Sequence, residues 1–347
     1  MTKGTTREFQ RMISRAVDGR SVFGCCVRMT RGDGSQDWSG AAGDLDVDTQ
    51  YFIASTTKLY TTAIILSLQN EGALALDEPV SRYLDSAAVS GIHVYRGVDY
   101  SQAITIAQLL AHTSGLPDYF QQRVNGRSLL AALTKGEDQH WTFEDVVEKT
   151  RAMPPKFAPG TKGRALYADT NYQILGKIIE TICGKSFSSV LHERIFEPLG
   201  LNQTYLFTDA DDTRPRTLYY KHTPLRIPEA MASFGPDGGI VSTANETLRF
   251  LRAFFTGELF PENALEPLKT YNRIFFPLEY GIGFMRFKLP WIFSPFRPLP
   301  ELLGHSGLSG AFAFYCPEKD LYVAGTVNQI AKPRLPYRLM MNMVMKG

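Results

Sequence analysis

The chain has no continuous apolar run approaching the ~18 residues a membrane helix requires, so no segment is expected to span a bilayer. Its first residues, MTKGTTREFQRMISRAV, start basic but hold no apolar stretch of the kind that directs secretion, which predicts a cytoplasmic protein. It has little cysteine, four in 347 residues, and Cys25, Cys26, Cys183 and Cys316 show no metal-ligand spacing. A chain this long can bury a large core without disulfides, so buried free thiols are the expectation. The six histidines contain no HExxH or related zinc signature, and neither a metal nor another cofactor is predicted. Charge of one sign is missing too. Thirty-seven Lys plus Arg against 35 Asp plus Glu leave a net charge of +2. Nucleic-acid binding wants a clustered basic surface, so that class of partner is set aside. The one short cluster noticed, Arg214, Arg216 and Lys221, reads as a solvated face.

What is present is ordinary globular composition, 44% hydrophobic and 21% charged. Periodicity predicts a helix over 4–18, with Phe9, Met12, Ile13 and Val17 on one stripe, then strands at 22–29 and 36–41 about a turn at 31–34. A long helix runs from about Ser55 to Glu71 and stops at Gly72. A short helix capped by Asp77 is expected around Pro79. Further helices are read at 104–111, 127–135, 142–151, 170–182, 186–195, 244–256 and 335–345, and strands at 311–316 and 321–327. Thr105 suits a cap, and Thr142 with Asp145 a capping box. Residues 271–300 are rich in aromatics, from Tyr271 and Phe275 to Trp291, Phe293 and Phe296. Pro290, Pro295, Pro298 and Pro300 argue against regular structure there. The order predicts an α+β fold, an antiparallel sheet flanked by helices plus a mostly helical lobe. Residues 1–76 and 265–347 build the sheet part, 77–264 the helical part, and the site lies in the cleft between them.

Ser55-Thr56-Thr57-Lys58 opens the long helix. Three positions apart, Ser55 and Lys58 share a face, and Ser55 sits near free backbone N–H groups that steady a developing negative charge. A serine hydroxyl needs a base within hydrogen-bond reach, and a lysine serves only with its proton affinity lowered. The spacing alone is weak evidence, because a capping serine followed by a lysine on a helix is common and is the favoured reading until context is added. Tyr167-Ala168-Asp169 begins another amphipathic helix. Tyr167 can relay a proton, and Asp169 can hold Lys58 charged or cap its own helix. Gly304-His305-Ser306-Gly307 precedes a late strand, where a backbone donor can join the Ser55 N–H in an oxyanion hole.

Together these motifs resemble the serine beta-lactamase and penicillin-binding-protein superfamily, in its class C beta-lactamase, DD-peptidase and esterase branch. Ser55 to Lys58 matches SxxK, Tyr167-Ala168-Asp169 stands at Tyr-x-Asn, and His305-Ser306-Gly307 at Lys/His-Thr/Ser-Gly. The segments 109–116, 159–160, 198–201 and 238–243 are similar to family signatures as well, and the likeness extends over about 5–345. The resemblance implies an acyl-enzyme on Ser55, with Lys58 and Tyr167 moving protons. Asp169, His305, Ser306, Gly307 and Ser309 would contact substrate or serve the oxyanion, and His112 would be structural. Asp169 in place of asparagine removes an amide donor, and its carboxylate favours a charged Lys58. His305 in place of lysine attracts a substrate carboxylate less. With the aromatic stretch, these departures put hydrolysis of small carboxylic esters first. A beta-lactamase, a D-amino-acid peptidase or amidase, and an acyltransferase follow as alternatives. A non-catalytic penicillin-binding sensor, acylated without turnover, is the reading outside enzymology. The partner is a small ester or amide, and the sequence does not fix an oligomeric state.

Overall fold

The computed structural model describes residues 3–289, 292 and 299–347. Strands β1 (Gly24–Arg31) and β2 (Asp37–Gly43) form the early hairpin; β3 (Asn272–Phe275), β4 (Leu278–Tyr280), β5 (Met285–Phe287), β6 (Leu302–Ser306), β7 (Ala311–Cys316) and β8 (Leu321–Thr326) come late. They pair antiparallel in the order β3-β4-β5-β6-β7-β8-β1-β2, so the first strands are stitched beside the last through the β1–β8 ladder.

Alternation along the strands supplies two apolar faces. Cys25, Val27, Met29, Phe312, Phe314 and Val323 point to one, under α1 (Lys3–Ala16) and α5 (Leu335–Lys346). Cys26, Ala313, Tyr322 and Ala324 point to the other, under α2 (Thr57–Asn70), α3 (Asp169–Cys183) and α4 (Ala244–Phe255). The adjacent thiols thus face opposite cores, and all four cysteines are free. Unlike surface helices with one apolar stripe, α2 is buried nearly all round, including Thr57, Lys58, Thr61 and Thr62. Polar side chains survive there only with partners, which is why this helix can carry chemistry.

Three local expectations are corrected. Residues 272–287 form three strands, because Pro277 occupies the turn between β3 and β4 and removes no ladder donor. Trp291, Phe293 and Phe296, with Pro290, Pro295 and Pro298, lie outside the described residues. Asp77 caps nothing: the turn Val80–Arg82 follows Pro79 without a side-chain cap. Nor does Asp169 cap α3, whose N-cap is Ala168. The Thr142–Asp145 capping box and the Thr105 cap are present, the latter as a full box with Gln108. Among the described residues no helix is long and apolar enough to cross a membrane.

Candidate active site

The short strand Tyr51–Phe52 pairs with Ile240–Ser242, and the Ile53 N–H still donates to the Ile240 carbonyl at 3.0 Å. The chain then leaves the sheet abruptly. Ala54 takes φ +46°, a left-handed conformation that costs a residue with a β-carbon about 1–3 kcal/mol. Two contacts hold it. The Ser309 hydroxyl donates to the Phe52 carbonyl at 2.7 Å, and Gly307 lies so close that an added β-carbon would fall 2.3 Å from the Ile53 oxygen. Ser55 therefore sits in one tight turn, Ala54–Thr56, just ahead of α2 rather than within it. Gly307→Ala should push this turn away from β6. We expect kcat/KM to fall on the order of 10²-fold while unfolding stays cooperative, measured by steady-state kinetics and denaturant melts.

Lys58 follows one turn later and is completely buried. Its Nζ donates to Asp169 Oδ1 at 2.6 Å, to the Asp237 carbonyl at 2.7 Å and to Ser55 Oγ at 3.2 Å. An ammonium has three N–H bonds, and here each has an acceptor, so the resting lysine is a donor toward Ser55. Burial pulls its proton affinity down, but Asp169, Tyr167 and Asp237 outweigh burial and hold it above the ordinary lysine range. The nitrogen lies 5.2 Å from the Tyr167 ring centroid and 5.4 Å from that of Tyr172, in cation–π contact with both. Burial raises the Tyr167 phenol; the Lys58 charge and hydrogen bonding to Ser55 and Lys58 work against it, and the net direction is up.

Sequence reasoning missed two carboxyl groups beside this ion pair. Asp118 accepts the backbone N–H groups of Asp169, Phe120 and Gln121, while burial and the Asp169 charge raise it to about 7. Asp237 Oδ2 accepts from Tyr119 Oη at 2.8 Å and Gln173 Nε2 at 3.0 Å, and burial raises that carboxyl well above its usual value. No spacing rule links positions 118, 169 and 237. Only the packing of α3 against the loops before and after it brings them together.

The third motif divides. Ser309 lines the same cavity as Ser55. Among the described residues neither backbone N–H donates to a backbone carbonyl, which leaves both available to an oxyanion. His305 does not reach that cavity. It is fully buried, with Nδ1 donating to the Ser306 carbonyl at 2.7 Å and Nε2 accepting from Tyr280 Oη at 3.0 Å. Tyr280 Oη in turn meets Tyr172 Oη at 3.1 Å, so the imidazole ties β6 through β4 to α3. Burial and the Lys58 charge lower its proton affinity to about 3, leaving it neutral. The expected substrate contact from His305 is thus replaced by a structural tie. Ser306 bonds the Tyr337 hydroxyl, and the Gly307 N–H donates to the Ala311 carbonyl at 2.8 Å. His112 is buried, its Nδ1 accepting from Ala168 N and Asn171 Nδ2 at 3.2 and 2.9 Å.

Ser55 and Asp169 open on a cavity enclosing about 550 Å³ of empty space, part of it continuous with solvent. Phe120, Leu133, Ile227, Met231, Phe234 and Ile330 give it apolar walls, and among the described residues no lysine or arginine lines it. These walls come from separate parts of the chain, so no local pattern announces them. Of the basic cluster noted at 214–221, Arg214 pairs with Asp212 and Arg216 with Asp44, the solvated arrangement expected.

Comparison with known proteins follows this geometry. The family model described as Beta-lactamase matches residues 9–338. The D-alanyl-D-alanine-carboxypeptidase/endopeptidase AmpH of Escherichia coli is 24% identical over 286 residues, 79% of this chain and 70% of that protein. Penicillin-binding protein 4 of Amycolatopsis lactamdurans is 27% identical over 233 residues, 64% of this chain but only 55% of its own length. Among solved structures, a D-stereospecific amidohydrolase from Streptomyces superposes with a TM-score of 0.76 at 27% identity, covering 94% of this chain and 95% of the other. The D-amino acid amidase of Ochrobactrum anthropi, at 21% identity, and EstCE1, a hydrolase with promiscuous acyltransferase activity, at 20%, both reach 0.79 over 99% of each chain and share the fold.

Proposed function

The chain belongs to the beta-lactamase family and is a serine hydrolase of that superfamily, and from this premise we propose that it cleaves amides of D-configured amino acids carrying an apolar side chain, through an acyl-enzyme on Ser55. The observation that carries this reading is Lys58 Nζ 3.2 Å from Ser55 Oγ, at the rim of an apolar cavity that, among the described residues, no cationic side chain lines. The names of the carboxypeptidase and the amidase contain a D-amino acid and that of the amidohydrolase D-stereospecificity, which favours this substrate class over the small esters the sequence put first. The lining refines the choice. With Asp169 and Asp237 on the wall and, among the described residues, no arginine or lysine, the described lining offers no cation to a free substrate carboxylate, while an α-ammonium is tolerated. Amino-acid amides suit such a wall better than peptides read from a free C-terminus.

The chemistry begins with removal of the Ser55 proton. Lys58, as found, has no lone pair to offer. It becomes a base once its proton moves to an acceptor, and Asp169 Oδ1 at 2.6 Å is positioned to take it. Ser55 Oγ then attacks the carbonyl carbon, and the N–H groups of Ser55 and Ser309 receive the oxyanion. Tyr167, beside both Ser55 and Lys58, passes its proton to the departing nitrogen and regains one from Lys58, which recovers its own from Asp169, so all three groups are reset. Water repeats the sequence to release the acid. Incubation with D- and L-amino-acid amides, their N-acetyl forms, p-nitrophenyl esters and a chromogenic beta-lactam tests the reading. D-amides with a free amine should give the highest kcat/KM and a transient Ser55 adduct by intact mass. Turnover confined to esters, or a preference for L-amides, would refute it.

A further inference from the structure

We propose that the groove between the end of α1 and the start of α5 is a binding site for a ligand bearing two or more phosphate groups. This groove lies on the face of the sheet opposite α2, away from Ser55. Arg15, Lys332, Arg334 and Arg338 all line it, and its solvent-connected volume is about 650 Å³. All four side chains are exposed, and among the described residues none has an ion-pair partner.

Asp18, the one carboxylate on the wall among the described residues, does not neutralise them. Its oxygens are consumed by its own turn, accepting the N–H groups of Arg20, Ser21 and Val22 and the Ser21 hydroxyl. Elsewhere on the surface cations are commonly paired, as Lys185 is with Glu193 and Arg249 with Glu258. Four like charges left around one concavity repel one another, and an anion between them removes that repulsion. Three are arginines, whose planar forks match phosphate oxygens two at a time.

The helix continues the track. Arg7, Arg11 and Arg15 recur every fourth residue of α1, on one exposed edge at steps of about 6 Å. The apolar side of α1, through Phe9 and Ile13, is committed to the core, so the helix has no apolar face to insert into a bilayer. Convergence on a concavity favours a discrete polyphosphorylated ligand over a flat lipid surface.

The test titrates the intact enzyme with pyrophosphate and with inorganic phosphate at fixed ionic strength, by calorimetry. The same titration follows with the Arg15→Ala, Arg338→Ala double variant. Vesicles of equal parts phosphatidylcholine and phosphatidylglycerol form a third arm, read by co-sedimentation. The expected result is saturable pyrophosphate binding, tighter than that of phosphate, weakened roughly tenfold or more in the double variant. Ser55-dependent amide turnover should be unchanged, which also shows that the variant folds. Absent or non-saturable binding, binding the variant leaves intact, or vesicle capture without pyrophosphate binding would overturn the proposal.

Discussion

Ser55→Ala is expected to lower amide turnover by up to about 10⁶-fold, the scale seen when the nucleophile of a cooperating set is removed. The variant should fold normally. Ser55 is partly exposed, and its hydroxyl meets the Tyr167 phenol and Lys58, which keeps Asp169 and the Asp237 carbonyl as partners. Hydrogen bonds lost at a half-open position change stability by about 1 kcal/mol each or less. The apolar walls of the cavity come from residues other than Ser55, so binding of a D-amide as a competitive ligand should persist while the covalent adduct disappears from the intact mass spectrum. This pairing of retained binding with lost adduct separates a missing nucleophile from a damaged fold. Undiminished turnover by the variant would place the nucleophile elsewhere.

That prediction rests on residues legible in the sequence, and the reason is geometric. Ser55 and Lys58 are joined by one turn of chain, so their proximity follows from local structure alone. The same holds for the Thr142–Asp145 box, and for Cys25 and Cys26 facing opposite cores. Legibility fails where long-range packing decides. β4 and β5 are three residues each and exist because β5 pairs with β6 and β4 with β5, so the prolines further on say nothing about them. His305 occupies the position from which the resemblance implies a substrate contact, yet Tyr280, 25 positions away, captures its ring. Asp118 and Asp237 carry no motif, and only the folded chain sets Asp118 against Asp169 and Asp237 against Lys58. The apolar cavity was hidden for the same reason: Phe120, Ile227 and Ile330 share no periodicity.

Asp169→Asn, which restores the residue the resemblance leads one to expect, should change both the pH profile and the pH dependence of stability. In the native protein Asp169 is the foremost of the charges that offset the burial of Lys58. With an amide there, burial dominates and the lysine gives up its proton more readily. Neutral Lys58 can accept from Ser55 without a prior transfer, so the ascending limb of kcat/KM should move to lower pH by at least about one unit. Stability responds with opposite signs in the two proteins. The raised native Lys58 contributes stability that is fully present below the ordinary lysine value of about 10.4, and is lost only as pH climbs past the raised value. In the variant the folded lysine binds its proton less tightly than the unfolded one, so folding stability should increase as pH rises from about 7 to about 10. At neutral pH the variant should be less stable by about 3 kcal/mol, the lower end for one partner removed from a buried pair, because deprotonation relieves part of the burden. Both side chains are almost fully buried, so solvent screening does not reduce that figure. Denaturant melts and kcat/KM measured across this pH range on both proteins decide the matter. An unshifted ascending limb would mean that the Ser55 proton leaves by a route that does not pass through Lys58.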